Sequence, residues 1–256
     1  MKRAFRSEVA KGFKLITSGR NEIITEKDLE HLPDIVKKYL ELVKVKGREK
    51  VFNMKVHFRG RIRMKPEEKW MKFKARQYSF FYNPTRLFYL KALRSGFPAT
   101  GLHIYKNVEA SMVIKVAGLF KITDVKGEEM NQAETVTYFN DMCLMAPATL
   151  IDNNISWVVI DPLTVRANFT NEYITIAADL YFNEQGELTN FISYDRYDLS
   201  NPESPWIYPF STPVEEYKEF NGFRLPCKAK AIWHRPEADF CYGEFIIKDI
   251  NYNCSK

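Results

Sequence analysis

One stretch concentrates groups that could do chemistry: Ser193-Tyr194-Asp195-Arg196-Tyr197-Asp198. Read as a strand, it puts Asp195 and Tyr197 on one face and Tyr194 and Arg196 on the other. A carboxylate or guanidinium buried between aromatic rings needs a partner, which is either structural or functional. Asp195 has no second acid beside it for glycosidic cleavage, although Asp161 or Asp179 could supply one from elsewhere. A structural ion pair is the plainer reading of the same residues. A second group is Lys55, His57, Arg59, Arg61 and Arg63, at every other position. That spacing sends all five to one side of a pleat, where arginine offers bidentate contacts to phosphate or carboxylate. The row equally suits a solvated outer face that discourages edge pairing, and acidic neighbours would favour that reading. His57 among arginines is expected to be neutral. Trp70, Tyr78, Trp157, Trp206 and Trp233 either line an apolar cavity or belong to an ordinary core.

Beyond these groups, the sequence excludes more than it offers. It holds no nucleophile elbow, zinc-protease, P-loop, dinucleotide or paired Cys-x-x-Cys motif. The four histidines (His31, His57, His103 and His234) are scattered with no i, i+4 pair, so no metal is expected. No cofactor is expected either. Cys143, Cys227, Cys241 and Cys254 match no zinc or disulfide spacing and read as free thiols. A net charge of +6 suits an anionic partner such as a membrane surface, or solubility alone. With no run of five lysines or arginines, nucleic acid is disfavoured. Neither a leader-like apolar stretch nor a run of 18 apolar residues occurs. The chain as given therefore reads as cytoplasmic by default, and as membrane-associated or extracytoplasmic if an anchor preceded it. Oligomeric state is left open.

The elements that must position these groups make one domain over 1–256: a helical cap (1–47), then an antiparallel sheet (48–256) with a helix inserted at about 131–146. In the cap, Thr25 and Asp28 form a capping box, Pro33 restarts the helix, and Gly47 ends it. From Val51 the period is two: Phe52, Met54, Val56, Phe58, Ile62 and Met64 alternate with polar residues. Gly60 within that strand predicts a bulge or strong coiling, as in curved sheets. Further strands are expected over 70–80, 86–93, 101–105 and 109–125, with a hairpin turn at Lys106-Asn107. Asn131 with Glu134 predicts the start of the inserted helix, with Val136, Phe139, Met142 and Cys143 as its buried stripe. Strands over 155–160, 165–169, 173–182 and 188–199 follow, with Gly186 at a turn position favouring positive φ. The segment holding Pro202, Pro205, Pro209 and Pro213 is too proline-rich for a central strand. Closing strands span 215–220, 224–234 and 240–251. The class is α+β, mostly β: a long, curved, half-barrel-like antiparallel sheet with N-terminal helices.

Several short motifs carry a resemblance. They are Leu32-Pro33 with Val36 and Lys38-Tyr39-Leu40; Phe58-Arg59-Gly60-Arg61; Trp70 with Phe73, Ala75 and Gln77-Tyr78; Gly118-Leu119-Phe120; and Asp195-Arg196-Tyr197. From Leu32 onward the chain resembles a bacterial family of unknown function, which brings no assigned activity and no catalytic residues. Its long strands and capping helices also resemble the lipoprotein-carrier (LolA-like) fold, which implies an open half-barrel sheltering acyl chains.

The expectation is a binding protein, leaning away from enzymatic activity, that holds a lipid-like or other hydrophobic ligand in a curved-sheet cavity of roughly 300 Å³ or more. Arg61, Trp70, Gln77, Tyr78, Asp195, Arg196 and Tyr197 are its expected lining. The alternatives are a hydrolase built on Asp195, Arg196 and a histidine, and a peripheral membrane or interaction module using the Lys55–Arg63 face.

Overall fold

The computed structural model describes residues 1–16, 22–94, 96–201 and 205–255. Helices α1 (Lys2–Lys14), α2 (Glu26–Leu29) and α3 (Asp34–Val43) come first. A meander follows: β1 (Asn53–Ile62), β2 (Met71–Phe80), β3 (Thr85–Arg94), β4 (Phe97–Lys106), β5 (Glu109–Val116) and β6 (Phe120–Lys126). Helix α4 (Glu128–Met145) and a short 3-10 turn (Pro147–Ile151) lead into β7 (Ile155–Asp161), β8 (Thr164–Asn171), β9 (Ile174–Phe182) and β10 (Leu188–Ser193). Three two-residue strands come next: β11 (Tyr197–Asp198), β12 (Trp206–Ile207) and β13 (Phe210–Ser211). The chain closes with β14 (Val214–Phe220), β15 (Phe223–His234) and β16 (Asp239–Tyr252). The class is the α+β, mainly β arrangement that the periodicity predicts.

All strands but β11 and β12 join one antiparallel sheet, in the order β6-β5-β4-β3-β2-β1-β16-β15-β13-β10-β9-β8-β7, with β14 also on β15. Its two ends do not meet, so the curved sheet stays open. Helix α4 packs against the inner face and α1 against the outer face of β2–β4. The alternation in β1 sends Met54, Val56 and Phe58 inward to full or near-full burial. Gly60 continues that row because a side chain there would collide: its Cβ would sit 2.0 Å from the Glu244 carbonyl oxygen. The register shift against β16 falls instead between His57 and Phe58.

Several sequence expectations are corrected. The 109–125 stretch is two strands, because Ala117 and Gly118 both take positive φ and turn the chain back. Helix α3 ends on Lys44 in the left-handed conformation, three residues before Gly47. Helix α4 starts at Glu128 after Gly127, whose φ of 113° favours glycine. Asn131 is therefore no N-cap; its side-chain oxygen accepts the Ala110 amide at 2.7 Å. Nor is α4 buried along one stripe: Glu134, Thr135, Asn140 and Asp141 are buried with the apolar residues. The strand expected over 188–199 breaks at Ser193, so Asp195 and Arg196 lie off the sheet. Proline does not keep Phe210–Ser211 from a central place between β10 and β15. Pro209 and Pro213 sit just outside β13, where only their carbonyls are needed, and these accept His234 and Lys230 amides. Pro202 lies outside the described residues. The Thr25–Asp28 capping box forms as expected, with the Thr25 amide donating to Asp28 Oδ2 at 2.9 Å.

The inner face divides in two. Under β7–β10 it is filled: Phe139 of α4 stacks on Phe169 at 5.0 Å and meets Phe191 at 6.0 Å. Under β1–β5 and β15–β16 it is not.

Candidate functional site: a cavity under helix α4

Between α4 and the inner face of β1–β5, β15 and β16 lies a cavity of about 270 Å³. It falls just below the size expected from the sequence and at the lower edge of ligand-pocket volumes of roughly 300–1,000 Å³. Most of its wall is hydrocarbon, including Phe58, Ile62, Phe88, Leu90, Ile114 and Leu144. The pleat explains this, since Phe58 on β1 and Phe88 and Leu90 on β3 occupy inward positions.

One part of the wall is polar. Arg86 sits on β3 at a buried inward position and meets two carboxylates of α4. Its Nε donates to Asp141 Oδ2 at 2.6 Å and its Nη1 to Glu134 Oε2 at 3.1 Å. Glu134 and Asp141 stand two helical turns apart, so they share one face of α4. Gln77 Nε2 also donates to Asp141 Oδ2, at 2.7 Å, and His103 Nδ1 lies 3.6 Å from Glu134 Oε1. Burial pushes the Glu134 carboxyl up, but Arg86 and then His103 outweigh it, holding the group at about 2 against its usual 4.5. For Asp141 burial wins over Arg86 and Gln77, and its pKa is raised. A buried guanidinium between two carboxylates is costly to desolvate and stays only because each partner is hydrogen-bonded.

Three polar groups of cavity-lining residues are not used up in this way: the side-chain carbonyls of Gln77 and Asn140, and Arg196. Gln77 turns its amide nitrogen to Asp141 because an ionised carboxylate can only accept. Its carbonyl Oε1 is thereby buried without a partner. Arg196 stacks on Phe210 at 4.2 Å and Trp233 at 4.7 Å. Its Nε donates to Thr137 Oγ1 at 3.2 Å and its Nη1 faces Tyr242 Oη at 3.5 Å. Among the described residues no carboxylate pairs with it, which leaves donors for an acceptor in the cavity.

Of the seven lining residues expected from the sequence, the structure brings Gln77 and Arg196 together on this wall. Arg61 points outward, is bound bidentately by Glu244, and lies over Trp70 at 4.7 Å. Trp70 is held between Arg61 and Arg63, outside the cavity. Tyr78 packs under α1 against Phe5 and Phe13. Asp195 accepts the Ala177 amide at 2.6 Å, and Tyr197 pairs with Ile207, so both brace the polypeptide beside the cavity. Arg63 leaves the basic row, because β1 ends at Ile62; its Nε donates to the Cys241 carbonyl. The sequence reading missed Arg86, Glu134 and Asp141. The carboxylate spacing was visible, but nothing in the sequence placed that helix face indoors.

No group of three or more metal-ligating side chains occurs among the described residues. A Ser211–His234–Asp239 relay does form, at 2.8 and 2.7 Å. Ser211 is only 2% exposed and lines no part of the cavity, while Asp239 is open to solvent. Arg196 shares the cavity wall with His103, but Asp195 lies outside it and accepts the Ala177 amide.

An open, curved antiparallel sheet, with a helix on its inner face and an apolar cavity between them, defines the class of protein. The chain belongs to the family of unknown function DUF6544, whose model matches residues 22–245. No curated protein matches the sequence. Two solved structures show a distant similarity to the chain. A domain named for outer membrane lipoprotein sorting, from Vibrio parahaemolyticus, shares 7% identity at a TM-score of 0.45, covering 80% of this chain and 86% of its own. A LolA superfamily protein from Nitrosomonas europaea shares 8% identity at a TM-score of 0.45, covering 87% of this chain and 93% of its own. At that distance the ligand has to be argued from this chain's own cavity.

Proposed function

We propose that this protein is a non-enzymatic binding protein that holds an amphipathic, lipid-like molecule between α4 and the sheet. The supporting observation is a largely hydrocarbon cavity whose lining carries three uncommitted polar groups, the Gln77 and Asn140 carbonyls and the Arg196 guanidinium. Apolar walls exclude water and take a chain, while a few placed polar atoms fix its head. Arginine clamped by two rings presents its fork without further loss of rotamer freedom, and suits a carboxylate or phosphate head. The small volume fits a single slender chain better than a bulky ring system.

Native mass spectrometry of the purified protein, followed by solvent extraction, tests this reading. A bound acyl lipid is expected, and Leu90→Trp, which fills the cavity, should lose it while remaining folded. An apo protein that also takes up no added fatty acid or lysophospholipid would sink the idea. The hydrolase reading has its own check: a fluorophosphonate probe should leave Ser211 unlabelled, because the residue is buried and does not line the cavity.

A further inference from the structure

The outer face of the sheet opposite the cavity carries a groove of about 500 Å³. Arg59, Lys74, Arg76 and Lys91 line it from β1, β2 and β3, Lys2 and Arg6 from α1, and Lys248 from β16. None of the seven forms an ion pair among the described residues, and Asp249, the sole carboxylate on the lining, faces His57 instead. The whole chain has 38 basic and 32 acidic residues, so an ordinary solvated face would interleave them. Here the acids are missing. His57 adds no charge, since burial, then Arg76 and Lys55, lower its pKa.

The register makes the arrangement more specific. Arg59 stands opposite Lys74, and Lys74 opposite Lys91. Lys91 then faces Thr100, Thr100 faces Lys115, and Lys115 faces Lys121. At ~4.8 Å per strand this is a transverse row about 24 Å long. Among the described residues only Lys121 in it has an acidic partner, Asp124. Like charges directly opposite one another destabilise a sheet, so the row costs the fold stability instead of adding to it.

Apolar groups flank the row at one end. Leu93 lies two residues beyond Lys91 on the same face and is 64% exposed. Leu119, in the turn between β5 and β6, is 80% exposed, whereas Phe97 and Phe120 open β4 and β6 opposite Arg94 and Val116, on the other side of the pleat. A transverse row of cations, mostly without acidic partners and flanked by protruding leucines, is complementary to anionic head groups over hydrocarbon. We infer that the outer face of β1–β6, together with the N-terminal end of α1 that lies on it and adds Lys2 and Arg6, docks on an anionic phospholipid bilayer. This surface is independent of the cavity and does not rest on the reading proposed for it. Among the described residues no helix is long and apolar enough to cross a membrane, and docking of this kind needs none.

Co-sedimentation of the full chain with phosphatidylcholine vesicles, with and without phosphatidylglycerol, tests the inference. Binding is expected only with phosphatidylglycerol, and should fall as salt screens the row. Each cation near the surface is worth about fivefold in partitioning, so Lys74→Gln/Lys91→Gln should weaken it about 25-fold. The variant relieves opposed like charges, so its melting temperature should match or exceed the wild type's. Leu93→Ser should weaken binding further without changing the salt dependence, and Leu90→Trp in the cavity should leave it intact. Equal partitioning to both vesicle types, or an unchanged double variant, overturns the proposal. So does displacement of the vesicles by inorganic phosphate where matched sodium chloride has no effect, which would assign the groove to a soluble anion. RNA retention without vesicle binding overturns it as well.

Discussion

The two faces of the same strands handle positive charge in opposite ways. On the inner face Arg86 meets Asp141 and Glu134 and takes a further neighbour, Gln77, through Asp141. On the outer face, three to five strand positions away, Arg76, Lys74 and Lys91 have no acidic partner among the described residues. The dielectric accounts for the contrast. A buried ion costs several kcal/mol unless it is paired, whereas a solvated one is supported by water. An inner charge is thus committed to the fold, and an outer charge is free for a partner. Arg196 and the Gln77 and Asn140 carbonyls stand out because they are uncommitted on the inner side, where water cannot substitute.

The largest effect should come from breaking the inner pairing. Arg86→Met leaves two buried carboxylates uncompensated and is expected to cost about 3–5 kcal/mol near neutral pH, read by urea unfolding. The pH slope sharpens the comparison. In the wild type Glu134 sits at about 2, below its unfolded value of 4.5, so its contribution is full above 4.5 and is lost as pH falls toward 2. Without Arg86 burial alone raises both carboxyls, and the variant should gain stability on acidification. Asp141, already raised in the wild type, contributes the opposite slope there, so the readout is the change between variant and wild type, and no change would mean the carboxylates are not held by Arg86. Next comes Gly60→Ala, expected to cost about 1–3 kcal/mol, because its Cβ meets the Glu244 carbonyl and forces β1 and β16 apart. A neutral result by thermal melting would show that the sheet is more compliant there than its packing implies.

The smallest effect should have the opposite sign. Lys74→Glu places an acid between Arg59 and Lys91 and should stabilise the sheet by about 0.2–1 kcal/mol while abolishing vesicle binding. Destabilisation by that change would show that the outer row is part of the fold's own support, and the contrast between the faces would fail.

Much of this contrast could be read along β1. Lys55, His57, Arg59 and Arg61 face outward as the alternation required, and Met54, Val56 and Phe58 face inward. The same rule failed one residue past the strand end, at Arg63, because period two holds only while the ladder does. It was ambiguous on β3, where Leu87 and Tyr89 pack under α1 while Phe88 and Leu90 face the cavity. With both faces of β3 partly covered, Arg86 gave no sign of being inside. Helix α4 hid its role for a related reason: its polar residues are buried by elements far away in sequence, such as Thr212, which accepts from Asn140 at 2.9 Å.

The sequence by itself determined the strand-rich class, the faces of the longest alternating strand, the Thr25 capping box and the positive φ at Gly186. These are local outcomes of sterics and of side-chain period, decided within a few residues. Tertiary structure alone decided which face curves over α4, that Arg86 joins Glu134 and Asp141 across 48 and 55 residues, and that Arg196 reaches the cavity from an irregular segment. Those outcomes depend on register, curvature and desolvation, which arise only when distant segments meet and exclude water between them.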